Sequence, residues 1–190
     1  MKQQPVPSLL PCQFLCLLPS LFPFLRNRKN QTNGFVVRFF EEGTNLDGNK
    51  YLLFIKDIYR SFAELARRKD ITFTFESTEE KIDLWLDPLQ MQKVLFNLLS
   101  NAFKYTPESG NIKITVKRIR QMVEIAVTDT GCGIPNEALS KIFERFYRGD
   151  EVFPDAVQGS GIGLAFTKAM IEAHKGTIKV ESVWKEVVSK

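Results

Sequence analysis

Apolar and polar positions alternate along this chain with two periods, three to four residues and two residues. In YLLFIKDIYRSFAELARRK, Phe54, Ile55, Ile58, Phe62, Leu65 and Ala66 recur at three- and four-residue steps, which predicts one amphipathic helix over 51–69. ITFTFES places Ile71, Phe73 and Phe75 on one face of a strand, and IDLWLD repeats the pattern with Ile82, Leu84 and Leu86. Asp87 followed by Pro88 is a helix start, and that helix runs to about Tyr105. IKITVK and MVEIAVTD predict two further strands. A short helix is expected near Asn136 to Phe143, and another from Leu164 to Lys175, stopped by Gly176. TIKVES predicts the last strand. Strands and helices are grouped in pairs and do not strictly alternate. The expected fold is therefore an α/β two-layer sandwich with a mixed, mostly antiparallel sheet covered by helices on one face.

The first 50 residues follow another pattern. Residues 5–25 carry no charge, with Lys2 before them and Arg26, Arg28 and Lys29 after. A membrane anchor, a signal peptide and an unstructured start compete here. Pro5, Pro7, Pro11, Pro19 and Pro23 weigh against a helix of any kind, at roughly 3 kcal/mol each inside one. Residues 27–50, polar and Gly/Asn-rich around a short FVVRFF run, read as a linker. The chain thus divides into 1–50 and a domain at 51–190.

Composition adds exclusions. Of 190 residues, 44% are apolar and 25% charged, an ordinary globular balance. The net charge of +4 sits mainly in residues 1–50, so the main body offers no basic footprint and no nucleic-acid partner is expected. Cys12, Cys16 and Cys132 make neither a disulfide framework nor a zinc pattern, which fits a reducing cytoplasmic setting.

Candidate chemistry lies in three stretches. On helix 88–105, Lys93, Asn97, Asn101 and Lys104 form one polar stripe opposite Leu95, Leu98, Leu99 and Ala102. A solvated surface explains such a stripe, but asparagines are poor helix formers, and amide oxygens suit Mg²⁺ beside phosphates. Strand 122–129 ends in Asp129-Thr-Gly-Cys-Gly-Ile-Pro135; its carboxylate, an acceptor only, suits an exocyclic amine such as that of adenine. Gly159-Ser-Gly-Ile-Gly163-Leu opens a helix and lets backbone approach phosphates. It is no Walker motif, since no Gly-Lys-Ser/Thr follows, and no strand precedes it as a Rossmann fingerprint requires.

Taken in order, these stretches resemble the boxes of sensor histidine kinases. FNLLSNAFKYTP resembles the N box, DTGCGIP the G1 box, IFERFYRGD the F box, and GSGIGLAFTKAMIEAHKGTIKVES the G2 box with the helix and strand beyond it. The resemblance covers about 51–182. It implies the Bergerat ATP-binding fold and phosphoryl transfer from ATP to a histidine nitrogen, with Mg²⁺. By resemblance Asn101 is the Mg²⁺ ligand. Asn97 and Lys104 are the catalytic neighbours of the phosphates, and Tyr105 also contacts nucleotide. Asp129 reads the adenine amine, Gly131 and Gly133 shape its turn, and Ile134 and Phe146 complete the contacts. Phe143 and Phe146 resemble the F box aromatics. Gly159, Ser160, Gly161, Ile162, Gly163 and Leu164 resemble the lid over the phosphates. The partners implied are a phosphoacceptor histidine domain and a response regulator receiver domain. The membrane enters only through residues 5–25, with the catalytic domain itself cytoplasmic.

Two departures stand out. The one histidine, His174, lies in EAHKG at a helix end, where a structural role is expected, and no acceptor histidine precedes residue 51. After TIKVES the chain reads VWKEVVSK where the family closes with a glycine turn and a last strand, so a sheet truncated at that strand is expected, and the missing acceptor histidine implies inactivity in isolation. The rival readings are a nucleotide-binding fragment without transfer, an anti-sigma serine kinase, which the FERFYRGD box disfavours, and a gyrase- or MutL-type ATPase. The last type carries a glutamate base where this chain has Asn97.

Overall fold

A computed structural model describes residues 32–40, 49–80, 82, 84, 86–148 and 160–184. Five strands form one sheet: β1 (Asn33–Phe40), β2 (Thr72–Ser77), β3 (Asn111–Ile119), β4 (Met122–Asp129) and β5 (Thr177–Glu181), in the order β2-β3-β4-β1-β5. Only β2 and β3 run parallel; the other three pairings are antiparallel, giving the mixed, mostly antiparallel sheet expected.

The surprise is β1. The run expected to belong to a linker is an interior strand, paired with β4 along Asn33 to Phe40 and with β5 along Gly34 to Arg38. Its side chains alternate: Phe35, Val37 and Phe39 are buried, while Phe40 is exposed. One correction follows. The boundary at residue 50 cuts through the sheet, since the domain takes in Asn33–Phe40. β5 has this upstream strand as its partner, while the residues after 184, where truncation of a last strand is expected, lie outside the described residues. Residues 5–25 lie outside the described residues. Among those described, no helix is long and apolar enough to cross a membrane.

The helices are α1 (Asn49–Ser61), α2 (Ala63–Arg68), α3 (Pro88–Tyr105), α4 (Asn136–Leu139) and α5 (Gly163–Ala173). The single helix expected over 51–69 is broken at Phe62. There Ser61 Oγ donates back to the Ile58 carbonyl at 2.7 Å, a bond that competes with the helical ladder. Ile82, Leu84 and Leu86 are buried as their alternation requires, but these three residues are not part of a strand; residues 81, 83 and 85 lie outside the described residues. Leu86 is held otherwise: Tyr51 Oη donates to its carbonyl at 2.6 Å and accepts from its amide at 3.2 Å. The helix expected over 136–143 stops at Leu139 and continues as turns.

α3 starts where the sequence says. Asp87 Oδ1 accepts from the amides of Leu89 and Gln90, and Pro88 opens the first turn. Its buried face (Met91, Val94, Leu95, Leu98, Leu99, Ala102, Phe103) joins the core under the sheet. Val123, Ile125 and Val127 of β4 and Ile112, Ile114 and Val116 of β3 meet it from the sheet. His174 ties the end of α5 to the start of α3, accepting from the Asp87 amide at 3.1 Å through Nε2 while Nδ1 bonds the Met170 carbonyl at 2.7 Å. The structural role expected for this histidine is the one seen.

The other face of the sheet carries an ion trio. Glu124 on β4 is buried, and its carboxylate meets Arg38 Nε of β1 at 2.7 Å and Lys117 Nζ of β3 at 2.9 Å. Burial alone raises its pKa, but hydrogen bonds and charge from Lys117 and Arg38 outweigh this and hold the carboxyl below its ordinary value.

Two predictions follow. Phe39→Ala is expected to cost about 3–5 kcal/mol in urea unfolding, the usual range for a truncated core phenylalanine. A linker position would lose under about 0.5 kcal/mol. Because Glu124 titrates lower in the fold than in the unfolded chain, its stabilisation is complete above the unfolded carboxylate pKa and fades as pH falls through the folded one. Glu124→Gln should therefore destabilise at neutral pH and match the parent in acid; equal losses at both pH values would refute the ion-pair account.

Candidate nucleotide site

The three chemical stretches converge along α3. At its middle, Asn97 and Asn101 are half-buried, as is Lys104 one turn on, whereas Lys93 is exposed. The polar stripe therefore splits into an exposed Lys93 and three half-buried members nearer the helix C-terminus. Asn97 Nδ2 donates to Thr167 Oγ1 at 2.8 Å, and Thr167 is fully buried on α5. Gly163, which opens α5, sits so close that a Cβ there would collide with the Asn97 amide. The head of α5 thus rests on Asn97. Such a helix N-terminus presents amide donors and a partial positive charge.

At the far end of α3 lies the turn after β4. Asp129 is half-buried, and its Oδ1 accepts from the Gly131 amide at 2.8 Å. A Cβ on Gly131 would stand 2.6 Å from the Tyr105 carbonyl oxygen and 2.7 Å from Asp129 Oδ1, so only glycine fits between helix end and carboxylate. Gly133 adopts φ +85°, a left-handed conformation suited to glycine. Lys104 Nζ lies 5.1 Å from the centre of the Tyr105 ring. Ile134 is half-buried against the core.

The third stretch is reached through Phe146. This residue has φ +66°, is 70% exposed, and donates its amide to the Gly161 carbonyl at 2.9 Å. Gly161 has φ +67° and packs against the Phe146 backbone. Phe143 is half-buried, edge-on to Phe35 of β1 at 6.4 Å, with Lys168 Nζ 5.6 Å over its ring. Ser160 and Ile162 are exposed, and Leu164 is half-buried at the head of α5. Gly159 lies outside the described residues. Among the described residues no three His, Cys, Asp or Glu side chains cluster as a metal cage. Cys132 is a buried free thiol.

Sequence reasoning missed three residues that shape the site: Thr167, Ser182 and Asn33. Ser182 Oγ accepts from the Ile134 amide at 2.7 Å, and Asn33 Nδ2 donates to the Gly131 carbonyl at 3.0 Å. Asn33 lies 98 residues from Gly131 in sequence, so no local pattern signals it.

Gly163→Ala separates packing from propensity. An alanine in a helix normally gains about 0.5–1 kcal/mol over glycine. Here overpacking against Asn97 should reverse the sign and cost about 1–3 kcal/mol. Combined with Asn97→Ala, the same change should become stabilising in denaturant titration; a loss in both backgrounds would mean that Asn97 is not the obstacle.

Comparison with known proteins bears on this arrangement. Residues 86–188 match the model of the histidine kinase-, DNA gyrase B- and HSP90-like ATPases. Histidine kinase P4 of Formosa agariphila is 41% identical over 130 residues, 67% of this chain and 10% of that protein. Sensor histidine kinase Hik2 of Thermosynechococcus vestitus is 40% identical over 111 residues, 58% of this chain and 29% of that one. The chain therefore spans less than a third of the length of either relative. Among solved structures, a nucleotide-free catalytic domain of histidine kinase ThkA superposes with TM-score 0.58 at 30% identity, covering 68% of this chain and 88% of that domain.

Proposed function

Since the chain belongs to the family of histidine kinase-, DNA gyrase B- and HSP90-like ATPases, and has the Bergerat fold of histidine kinase catalytic domains, we propose that it binds ATP with Mg²⁺ and transfers the γ-phosphoryl group to a histidine on a separate phosphoacceptor domain. The observation that supports this best is the pairing of Asp129 with Gly131 at one end of α3 and of Asn97 with Gly163 nearer its start.

In this reading Asp129 accepts from the adenine exocyclic amine, since an ionised carboxylate offers acceptors only. Gly131 and Gly133 let the base approach, with Ile134 and Tyr105 at its flanks. The head of α5 with Gly161, Ile162, Gly163 and Leu164, preceded by Gly159 and Ser160, faces the phosphates, and Lys104 offsets their charge. The donors present fit Mg²⁺: Asn101 is a half-buried neutral amide on the face shared with Asn97, and a hard cation beside phosphates takes few protein oxygens. When bound, the ion would neutralise charge developing on the transferred group. The protein's own part is positioning, so amides, a lysine and glycine backbone suffice and no protein nucleophile is required. Both ring nitrogens of His174 are engaged structurally, so the acceptor histidine is assigned to another domain, and a response regulator receiver is the next partner.

The test is calorimetric titration of the chain with a non-hydrolysable ATP analogue. A hydrogen bond to a buried charge is worth roughly 1.5–3 kcal/mol, so Asp129→Asn should weaken binding about 10- to 100-fold. Asn101→Ala should chiefly remove the Mg²⁺ dependence. Unchanged affinity in the first, or persistent Mg²⁺ dependence in the second, would refute the corresponding role. Labelled phosphate passing from ATP to an isolated phosphoacceptor domain would establish transfer; binding without transfer would leave a nucleotide-binding module.

A further inference from the structure

Asn33 is the first residue of β1, far upstream of the stretch that matches the family, and it is only 5% exposed. A buried amide requires partners, and Asn33 finds them in the nucleotide turn and in the residues just after β5. Nδ2 donates to the Gly131 carbonyl at 3.0 Å. Oδ1 accepts from Ser182 Oγ at 3.1 Å and from the Val183 amide at 2.8 Å. Ser182 Oγ in turn accepts from the Ile134 amide at 2.7 Å. The turn is therefore held at both ends: Gly131 by Asn33, and Ile134 by Ser182, which Asn33 itself fixes. Between them, a Cβ on Gly133 would collide with the Val183 carbonyl and stand 3.1 Å from Asn33 Oδ1, so the clamp also sets the packing that requires glycine there.

Gly131 receives opposed restraints. Its amide is held by Asp129 Oδ1 and its carbonyl by Asn33 Nδ2. Together the two bonds restrain this glycine, because both its dihedrals lie between them. The carboxylate that would read the base is thereby oriented through Gly131 from β1.

We propose that Asn33 is a positioning residue of the nucleotide site: it acts through Gly131 and Ser182 to orient Asp129 toward the adenine amine, and so makes adenine recognition depend on the upstream strand. This rests on the reading of Asp129 given above. A merely structural asparagine would lower stability without changing which base is preferred, and this difference supplies the test.

The full chain is titrated with an ATP analogue and with purine riboside triphosphate, which lacks the 6-amino group. Asn33→Ala should weaken the ATP analogue about tenfold, the scale of one such hydrogen bond. It should weaken the amine-free nucleotide much less, so that the preference between them collapses. Val37→Ala, on the same strand but facing the core, is the stability control and should leave both affinities within about twofold of the parent, within the usual independence of distant sites. Ser182→Ala, which removes the support of the Ile134 amide while leaving β1 intact, should reproduce the loss of preference if Asn33→Ala fails to fold. An Asn33→Ala protein that retains the parent preference would overturn the proposal, as would a Val37→Ala protein that loses it equally. Two further outcomes are distinguishable. A parent chain that binds both nucleotides equally overturns the Asp129 reading and the inference together. A parent that discriminates while both Asn33→Ala and Ser182→Ala still discriminate overturns only the inference.

Discussion

The backbone pairing of β1 between β4 and β5 is the constraint on which the rest of this structure depends. β4 and β5 are not neighbours; each hydrogen-bonds to β1. Without that strand, β5 would have no ladder partner, and two rows of backbone donors and acceptors would face water or another chain. β1 also brings Phe35, Val37 and Phe39 into the core, and its Arg38 reaches the buried Glu124 on the opposite face. One eight-residue segment thus supplies ladder bonds to two strands, part of the core, one member of an ion trio and a clamp on the turn after β4.

This explains why some of the molecule was legible in the sequence and some was not. Helix α3 is specified locally: Asp87 caps it, Pro88 opens it, and its apolar residues follow the helical period, so reading and structure agree. β3 and β4 are specified by alternation and a short turn between them. β1 has the same alternation, in Phe35, Val37 and Phe39, but it begins within NQTNG, a run of turn formers. What makes it a strand is pairing with residues more than 80 positions away, which no window along the chain can reveal. The stretch around Ile82 and Leu84 is the opposite case. Alternation there correctly predicts burial on one side, but burial needs no ladder, and a tyrosine hydroxyl serves Leu86 instead.

The site shows the same division. Asp129, Asn97, Asn101 and the glycines were legible because their residue types are unusual for their positions, and motif order brought them together. The residues that orient them were not. Thr167 looks like any helix threonine, yet it is buried and accepts the Asn97 amide hydrogen. Asn33 and Ser182 carry no motif. Groups that touch a ligand are constrained in chemistry, which leaves a mark on composition; groups that hold them are constrained only in geometry, and many residue types could serve.

Helix α3 sets the spacing of the whole arrangement. Asn97 abuts Gly163 and Tyr105 abuts Gly131, so the two glycine stretches are docked at two points on one rigid element. Eight residues separate those points, about 12 Å along the axis at 1.5 Å per residue, on the scale of an extended nucleoside triphosphate. Under the proposed function, base recognition at one end and phosphate contact at the other would therefore not be independent: a ligand would have to span this part of the helix to satisfy both, and a change in how either glycine stretch packs against α3 would alter the length that fits. Neutral amides are well suited to this role. Asn97 uses one end of its side chain to hold α5 in place through Thr167, while its oxygen meets the glycine that opens the helix. A charged residue at this position would bring its charge into the α3–α5 contact, and an apolar one would leave Thr167 buried without its donor. One asparagine side chain thus sets how α5 packs on α3, and under the proposed function the spacing between base and phosphate contacts would follow from it.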